Sequence, residues 1–143
     1  MRLVLDTNVV LDLLLFADPS VRPIAAACSS GWACCLADAA TLDEWQRVVG
    51  YQDFGLAPAQ VRALGTRYRE QVLLVGPPTE PLPPLPRCRD RDDQKFLELA
   101  ARAGADLLVT KDKALLRLKG RQGLGFSIAD PVAAGTLLTS TPR

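Results

Sequence analysis

Apolar residues recur along the chain in short runs, each closed by polar or turn-forming positions. Arg2–Leu5 is apolar after its first residue and stops at Asp6, the pattern of a short buried strand. Asn8 is then placed to cap a helix through Val9, Leu11, Leu14 and Leu15, which Pro19 and Ser20 break. Val21–Ser30 is Ala-rich and reads as a helix ending near Gly31. Trp32–Ala37 reads as a second strand, and Asp38 is the N-cap of a helix over Ala39–Val49. Tyr51–Pro58 is a connection. Ala59–Val72 reads as a helix with Arg62, Arg67 and Arg69 on its polar positions, and Leu73–Val75 as a short strand.

The pattern then changes. Gly76–Pro86 holds Pro77, Pro78, Pro81, Pro83, Pro84 and Pro86, which neither a helix nor a central strand accepts, so an extended surface crossing is expected. Asp92 and Asp93 open a helix through Phe96, Leu97, Leu99 and Ala100, with Gly104 as its stop. Asp106–Thr110 is a further strand, Lys111–Leu118 a short helix or turn, and Leu124–Ile128 a last strand. Asp130-Pro131 starts a last helix. Strands alternating with helices predict a mostly parallel sheet with helices on both faces, a three-layer α/β/α sandwich. The proline run is no domain boundary, because neither half buries enough core alone; residues 1–143 are expected to form one domain.

Composition narrows the chemistry. Hydrophobic residues make up 48%, enough for a core without disulfides or structural metal. The longest apolar stretch, Val9–Ala17, is interrupted by Asp12 and is too short to span a membrane. The N-terminus lacks the features of a signal peptide, and a cytoplasmic protein is expected. Asp12 is expected on the exposed side of the first helix unless it reaches the site. The four cysteines form no C-x-x-C pair and His is absent, which argues against zinc and excludes Ser-His-Asp and Cys-His schemes. Cys28, Cys34, Cys35 and Cys88 read as free thiols in a reducing compartment.

Carboxylates are left to carry the chemistry. Asp6 and Asp112 fall at the carboxyl ends of strands, where open parallel sheets bind ligands. Glu44 follows the second strand on its helix, and Asp93 opens the helix before the next one. Each alone is an ordinary cap or surface residue; the four together point to a shared cleft. Like charges so gathered disfavour one another's ionisation, and a divalent cation relieves that. An all-oxygen set suits Mg²⁺ or Mn²⁺. Net charge is only +1, but Lys111, Lys113, Arg117, Lys119 and Arg121 follow the fourth acid, and Arg87, Arg89 and Arg91 flank the third. Cations bordering such a cleft suit phosphate strands. Trp45, beside Glu44, could stack a base, although a core role is commoner.

The opening Leu3-Val4-Leu5-Asp6-Thr7-Asn8-Val9-Val10 resembles the start of PIN-domain proteins. Cys88-Arg89-Asp90-Arg91-Asp92-Asp93-Gln94-Lys95-Phe96-Leu97 resembles a bacterial subfamily described as toxin components of toxin–antitoxin systems, and Gly104–Asp112 resembles the family's strand-plus-acid signature. The similarity runs from Met1 to about Pro131. It implies that Asp6, Glu44, Asp93 and Asp112 are the metal-binding catalytic acids and that Asn8 and Thr110 support them. Asp90 and Asp92 are extra acids near the third position that could ligate instead, and Gln94 stands where many relatives carry another Asp. Lys111, Lys113, Arg89 and Arg91 become the nucleic-acid contacts. The implied activity is metal-dependent hydrolysis of single-stranded RNA, with a small antitoxin partner and, commonly, homodimers. The alternative is a non-catalytic RNA-binding or protein-interaction module on the same fold. A phosphatase with Asp6 as nucleophile ranks last, because such enzymes want an Asp where Asn8 stands.

Overall fold

The computed structural model describes residues 1–142. Its centre is a five-stranded sheet in the order β3-β2-β1-β4-β5, built from β1 (Arg2–Leu5), β2 (Cys34–Ala37), β3 (Val72–Leu74), β4 (Leu107–Val109) and β5 (Ser127–Ala129). All four pairings are parallel, which exceeds the mostly parallel sheet expected. The helices are α1 (Thr7–Leu11), α2 (Arg22–Ser29), α3 (Ala39–Val49), α4 (Pro58–Gln71), α5 (Gln94–Arg102), α6 (Lys113–Leu116) and α7 (Pro131–Ser140).

The two-residue period of a strand divides the core in two. Leu3 and Leu5 of β1, Cys35 and Ala37 of β2, and Leu107 and Val109 of β4 face one side. There they meet Val9 and Val10 of α1, Ile24 of α2, Leu42, Trp45 and Val49 of α3, Tyr68 of α4 and Leu138 of α7. Val4, Leu36, Leu108 and Ile128 face the other, against Phe96, Leu97, Leu99 and Ala100 of α5 and Leu115 of α6. The three-layer α/β/α sandwich is therefore observed.

Most local expectations hold, with shifts of one to three residues at element ends, the largest at β5, expected from Leu124 and starting at Ser127. Two differ in substance. Asn8 caps nothing: α1 starts at Thr7, so Asn8 is its second residue and lies exposed, while Asp6 takes the N-cap position with extended backbone. Beyond Leu11 the coil widens into a π-helical turn, Asp12–Phe16, closed by Ala17 at φ 51°. That turn carries Asp12 inward: it is buried, not on the exposed side, because its carboxylate meets Lys111 Nζ at 2.6 Å.

Asp38 links two elements. Its carboxylate accepts from the Thr41 N–H at 3.0 Å, while the Thr41 hydroxyl accepts from the Asp38 N–H at 3.0 Å, a reciprocal cap on α3. Its second oxygen takes Arg102 Nη2 at 2.6 Å, and Arg102 Nη1 also donates to the Gly76 carbonyl at 2.6 Å. Asp38→Ala is therefore expected to cost about 2–3 kcal/mol, adding a lost cap to a half-buried guanidinium left unpaired. Asp38→Asn keeps the cap acceptor and should lose less. Urea melts that left both variants at the wild-type midpoint would refute this assignment.

Candidate active site

In the order β3-β2-β1-β4-β5 the chain leaves β1 toward β2 and later returns to its other side with β4. The carboxyl ends of β1 and β4 thus flank the switch point, where open parallel sheets hold their ligands. Asp6 follows β1 directly and Thr110 follows β4. Thr110 is buried and its hydroxyl donates to Asp6 Oδ2 at 2.7 Å, across the seam between the strands. The same hydroxyl oxygen accepts the Asp112 N–H at 2.9 Å. One threonine thus sets the positions of two acids.

Asp112 is the N-cap of α6, and its Oδ1 accepts from the Ala114 N–H at 2.8 Å. Asp93 is the N-cap of α5 and makes no side-chain capping bond; its Oδ2 is buried and has no hydrogen-bond partner. Asp90, Asp93 and Asp112 bring carboxylate oxygens within 4.8 Å of one another. Of the two spare acids near the third position, Asp90 therefore joins the cluster. Asp92 lies exposed outside it.

Glu44 stands on the Asp6 side. It accepts from Lys95 Nζ at 2.7 Å and from the Thr7 hydroxyl. The structure thus sets out Asp6, Glu44, Asp93 and Asp112 along one edge in two groups. Asp93 and Asp112, with Asp90, form the tight group; Glu44 is held beside Asp6 by Thr7 and Lys95. Asn8 takes part through its backbone N–H, which lowers the Asp6 pKa, rather than through a capping side chain.

The electrostatics follow from burial and crowding. The Asp6 carboxyl is pushed up, first by burial and further by the charges of Glu44 and Asp112, against the opposing bonds from Thr110 and Asn8. Asp93 is pushed up to about 8, first by burial, then by the hydrogen bond it shares with Asp112 and by the charges of Asp6, Asp112 and Asp90. Asp112 is the partner held down, chiefly by that same hydrogen bond. Metal-free, the cluster keeps a proton on Asp93 at neutral pH. The donor set is all carboxylate oxygen, one buried oxygen is unpartnered, and the charges repel. Those features fit a hard divalent cation.

Lys95 and Asp12 each carry a signal of their partners in the sequence. Lys95 is the second residue of α5, where the helix dipole disfavours a cation, so an anionic partner was implied. Asp12 interrupts an apolar run, and a buried acid requires a partner. Gln94 is turned away from the acids. Its Oε1 accepts the Cys88 N–H at 2.7 Å and its Nε2 donates to the Pro86 carbonyl at 3.3 Å, so it fastens the segment leading to Asp90.

Among the proposed cationic contacts, Arg89, Arg91 and Lys113 are exposed. Lys111 is exposed too, but its Nζ is engaged by Asp12. Arg87, Arg89, Arg91 and Lys95 line one surface cleft beside the third acid. Among the described residues, no helix is long and apolar enough to cross a membrane.

No curated protein matches the chain. A family model described as PIN domain matches residues 2–114, which includes all four acids and both strands of the switch point. PIN domains are generally nucleases and generally use divalent metals, in keeping with this nuclease-type fold and its acidic cluster. The chain belongs to the PIN-domain family.

Proposed function

We propose that this chain is a metal-dependent endoribonuclease that hydrolyses phosphodiester bonds in single-stranded RNA. The observation that carries this reading is the convergence of Asp6, Asp93 and Asp112 at the switch point, where the Thr110 hydroxyl ties Asp6 to Asp112 and Asp93 lies against Asp112. Asp6, Glu44, Asp93 and Asp112 would hold Mg²⁺ or Mn²⁺, and such an ion, when bound, activates water and neutralises charge on the scissile phosphate.

The remaining roles belong to the chain. Thr110 orients Asp6 and Asp112, while Thr7 and Lys95 fix the two Glu44 oxygens. One of the four acids, ionised once the metal has displaced the proton that burial and crowding keep on Asp93, would help deprotonate the attacking water. Arg89, Arg91 and Lys113 bind flanking phosphates. The RNA substrate and a toxin role in a toxin–antitoxin pair rest on the resemblance of the Cys88–Leu97 segment. That role implies a cytoplasmic protein and a small antitoxin that occludes the acids. Pairing of two copies belongs to the same reading.

The deciding experiment is cleavage of a labelled single-stranded RNA pool in Mn²⁺, Mg²⁺ or EDTA, with wild type beside Asp6→Asn. Metal-dependent cutting by the wild type alone is expected. No cutting by folded protein that also binds no metal in calorimetry would replace this reading with the non-catalytic RNA-binding or protein-interaction module.

Metal binding should also release a proton. Asp93 holds one up to about pH 8, so at pH 7 loading with Mn²⁺ should liberate about one proton per chain, fading above about pH 9. Calorimetry in buffers of different ionisation enthalpy reads this directly. The linked effect on stability has a definite sign. The folded value lies above the unfolded 3.8, so the contribution is full below 3.8 and is lost as pH rises through about 8. The metal-free thermal midpoint should therefore fall between about pH 5 and pH 8 relative to Asp93→Asn. Absence of proton release at pH 7 would show that Asp93 does not exchange a proton for the metal.

A further inference from the structure

Away from the acids, two thiols meet. Cys28 on α2 and Cys35 on β2 have their Sγ atoms 3.5 Å apart, joined through the turn at Gly31. Both border a cavity of about 410 Å³ whose wall also includes Leu13, Leu14, Arg67 and Tyr68. Cys35 is buried and Cys28 is only partly buried. The alternation along β2 excludes a third partner: Cys35 faces the α2 side of the sheet, while Cys34 packs with the opposite core, as does Cys88. Two thiols with no His or carboxylate beside them do not complete a zinc site.

We propose that Cys28 and Cys35 form a thiol–disulfide couple, with Cys28 the residue that peroxide oxidises and Cys35 the one that resolves it. The sulfurs are already in contact, so closure to the bonded distance of about 2.0 Å needs only a small approach of α2 to β2. Access selects the order, because the partly buried Cys28 meets oxidant before the buried Cys35. Either thiol can donate in this contact; with the Cys35 thiol donating, the Cys28 thiolate is favoured, while that bond and burial push Cys35 up.

The chemistry balances. The Cys28 thiolate attacks one peroxide oxygen, an S–O bond forms, the O–O bond breaks, and the hydroxide lost becomes water. Cys35 sulfur then attacks the Cys28 sulfenic acid. The S–S bond forms, the S–O bond breaks, and the departing hydroxide takes the Cys35 proton as a second water. Two thiols are oxidised and one peroxide is reduced.

The test treats the full chain with hydrogen peroxide, alkylates free thiols and maps peptides without reduction. One intrachain link between Cys28 and Cys35, reversed by dithiothreitol, is expected. In Cys35→Ala, Cys28 should stop at the sulfenic acid and be trapped by dimedone; in Cys28→Ala, Cys35 should stay reduced. Wild-type Cys28 should also react with iodoacetamide about tenfold faster at neutral pH than Cys28 in Cys35→Ala. Links through Cys34 or Cys88, disulfide-joined dimers, two thiols that remain free, or equal alkylation rates would each overturn the proposal. The wild-type peptide map decides even if Cys35→Ala folds poorly.

Discussion

Replacing Asp93 with Asn is expected to lower metal-dependent RNA cleavage by more than about a hundredfold, the upper figure for losing a group that merely orients a ligand. The same change should raise the thermal midpoint of the metal-free protein at about pH 8 by about 3 °C or more. The two effects have one origin. Asp93 is buried with an unpartnered oxygen, and Asp6, Asp90 and Asp112 all raise its pKa. Without a cation that arrangement is a liability, and a neutral amide of the same shape relieves the repulsion while still donating to Asp112. With a cation, on the proposed reading, the same arrangement becomes a binding site. Full activity in Asp93→Asn would transfer the role to Asp90, its neighbour in the cluster. A lower midpoint would mean that the carboxyl holds the fold together rather than straining it.

Trp45→Ala should destabilise the protein by about 3–5 kcal/mol, a large share of the stability of a domain this size. The indole is 1% exposed, its Nε1–H donates to the Leu64 carbonyl at 3.2 Å, and its ring meets that of Tyr68 with centroids 5.5 Å apart. It is the pin between α3 and α4. Base stacking by Trp45 is excluded by the same burial. Trp45→Phe, which keeps most of the packing, should therefore leave RNA affinity unchanged per folded molecule. Affinity that fell in Trp45→Phe with the thermal midpoint intact would contradict the packing role. Because α3 also carries Glu44, any activity lost in Trp45→Ala should track the unfolded fraction in a urea titration.

The strands were readable because parallel strands buried on both faces are short apolar runs, and Asp6 and Thr110 mark where two of them stop. The edge strand β3 was harder to bound, because Leu73 and Leu74 are half-exposed and continue straight from α4. The acids were legible for the same reason as the strands: topology alone brings Asp6 and Asp112 to neighbouring strand ends. Contacts set by how helices pack were not legible. Lys95 reaches Glu44 over 51 positions, and Lys111 meets Asp12 only because a π-helical turn rotates that acid inward. No periodicity distinguishes such a turn from continued α-helix within an apolar run. The helix cap expected at Asn8 lies two residues earlier, at Asp6, since Thr7 already has helical backbone.

The proline-rich crossing divides the active site as well as the sheet. Residues 1–76 supply β3-β2-β1 with Asp6 and Glu44, and the residues after Pro86 supply β4-β5 with Asp93 and Asp112. The halves meet along the β1–β4 ladder and through the Thr110–Asp6 bond. Arg102 grips the start of the crossing at Gly76, and Gln94 grips its end at Pro86. A single cut between them would thus make a split protein, with each fragment holding two of the four acids and neither able to form the site until they reassemble.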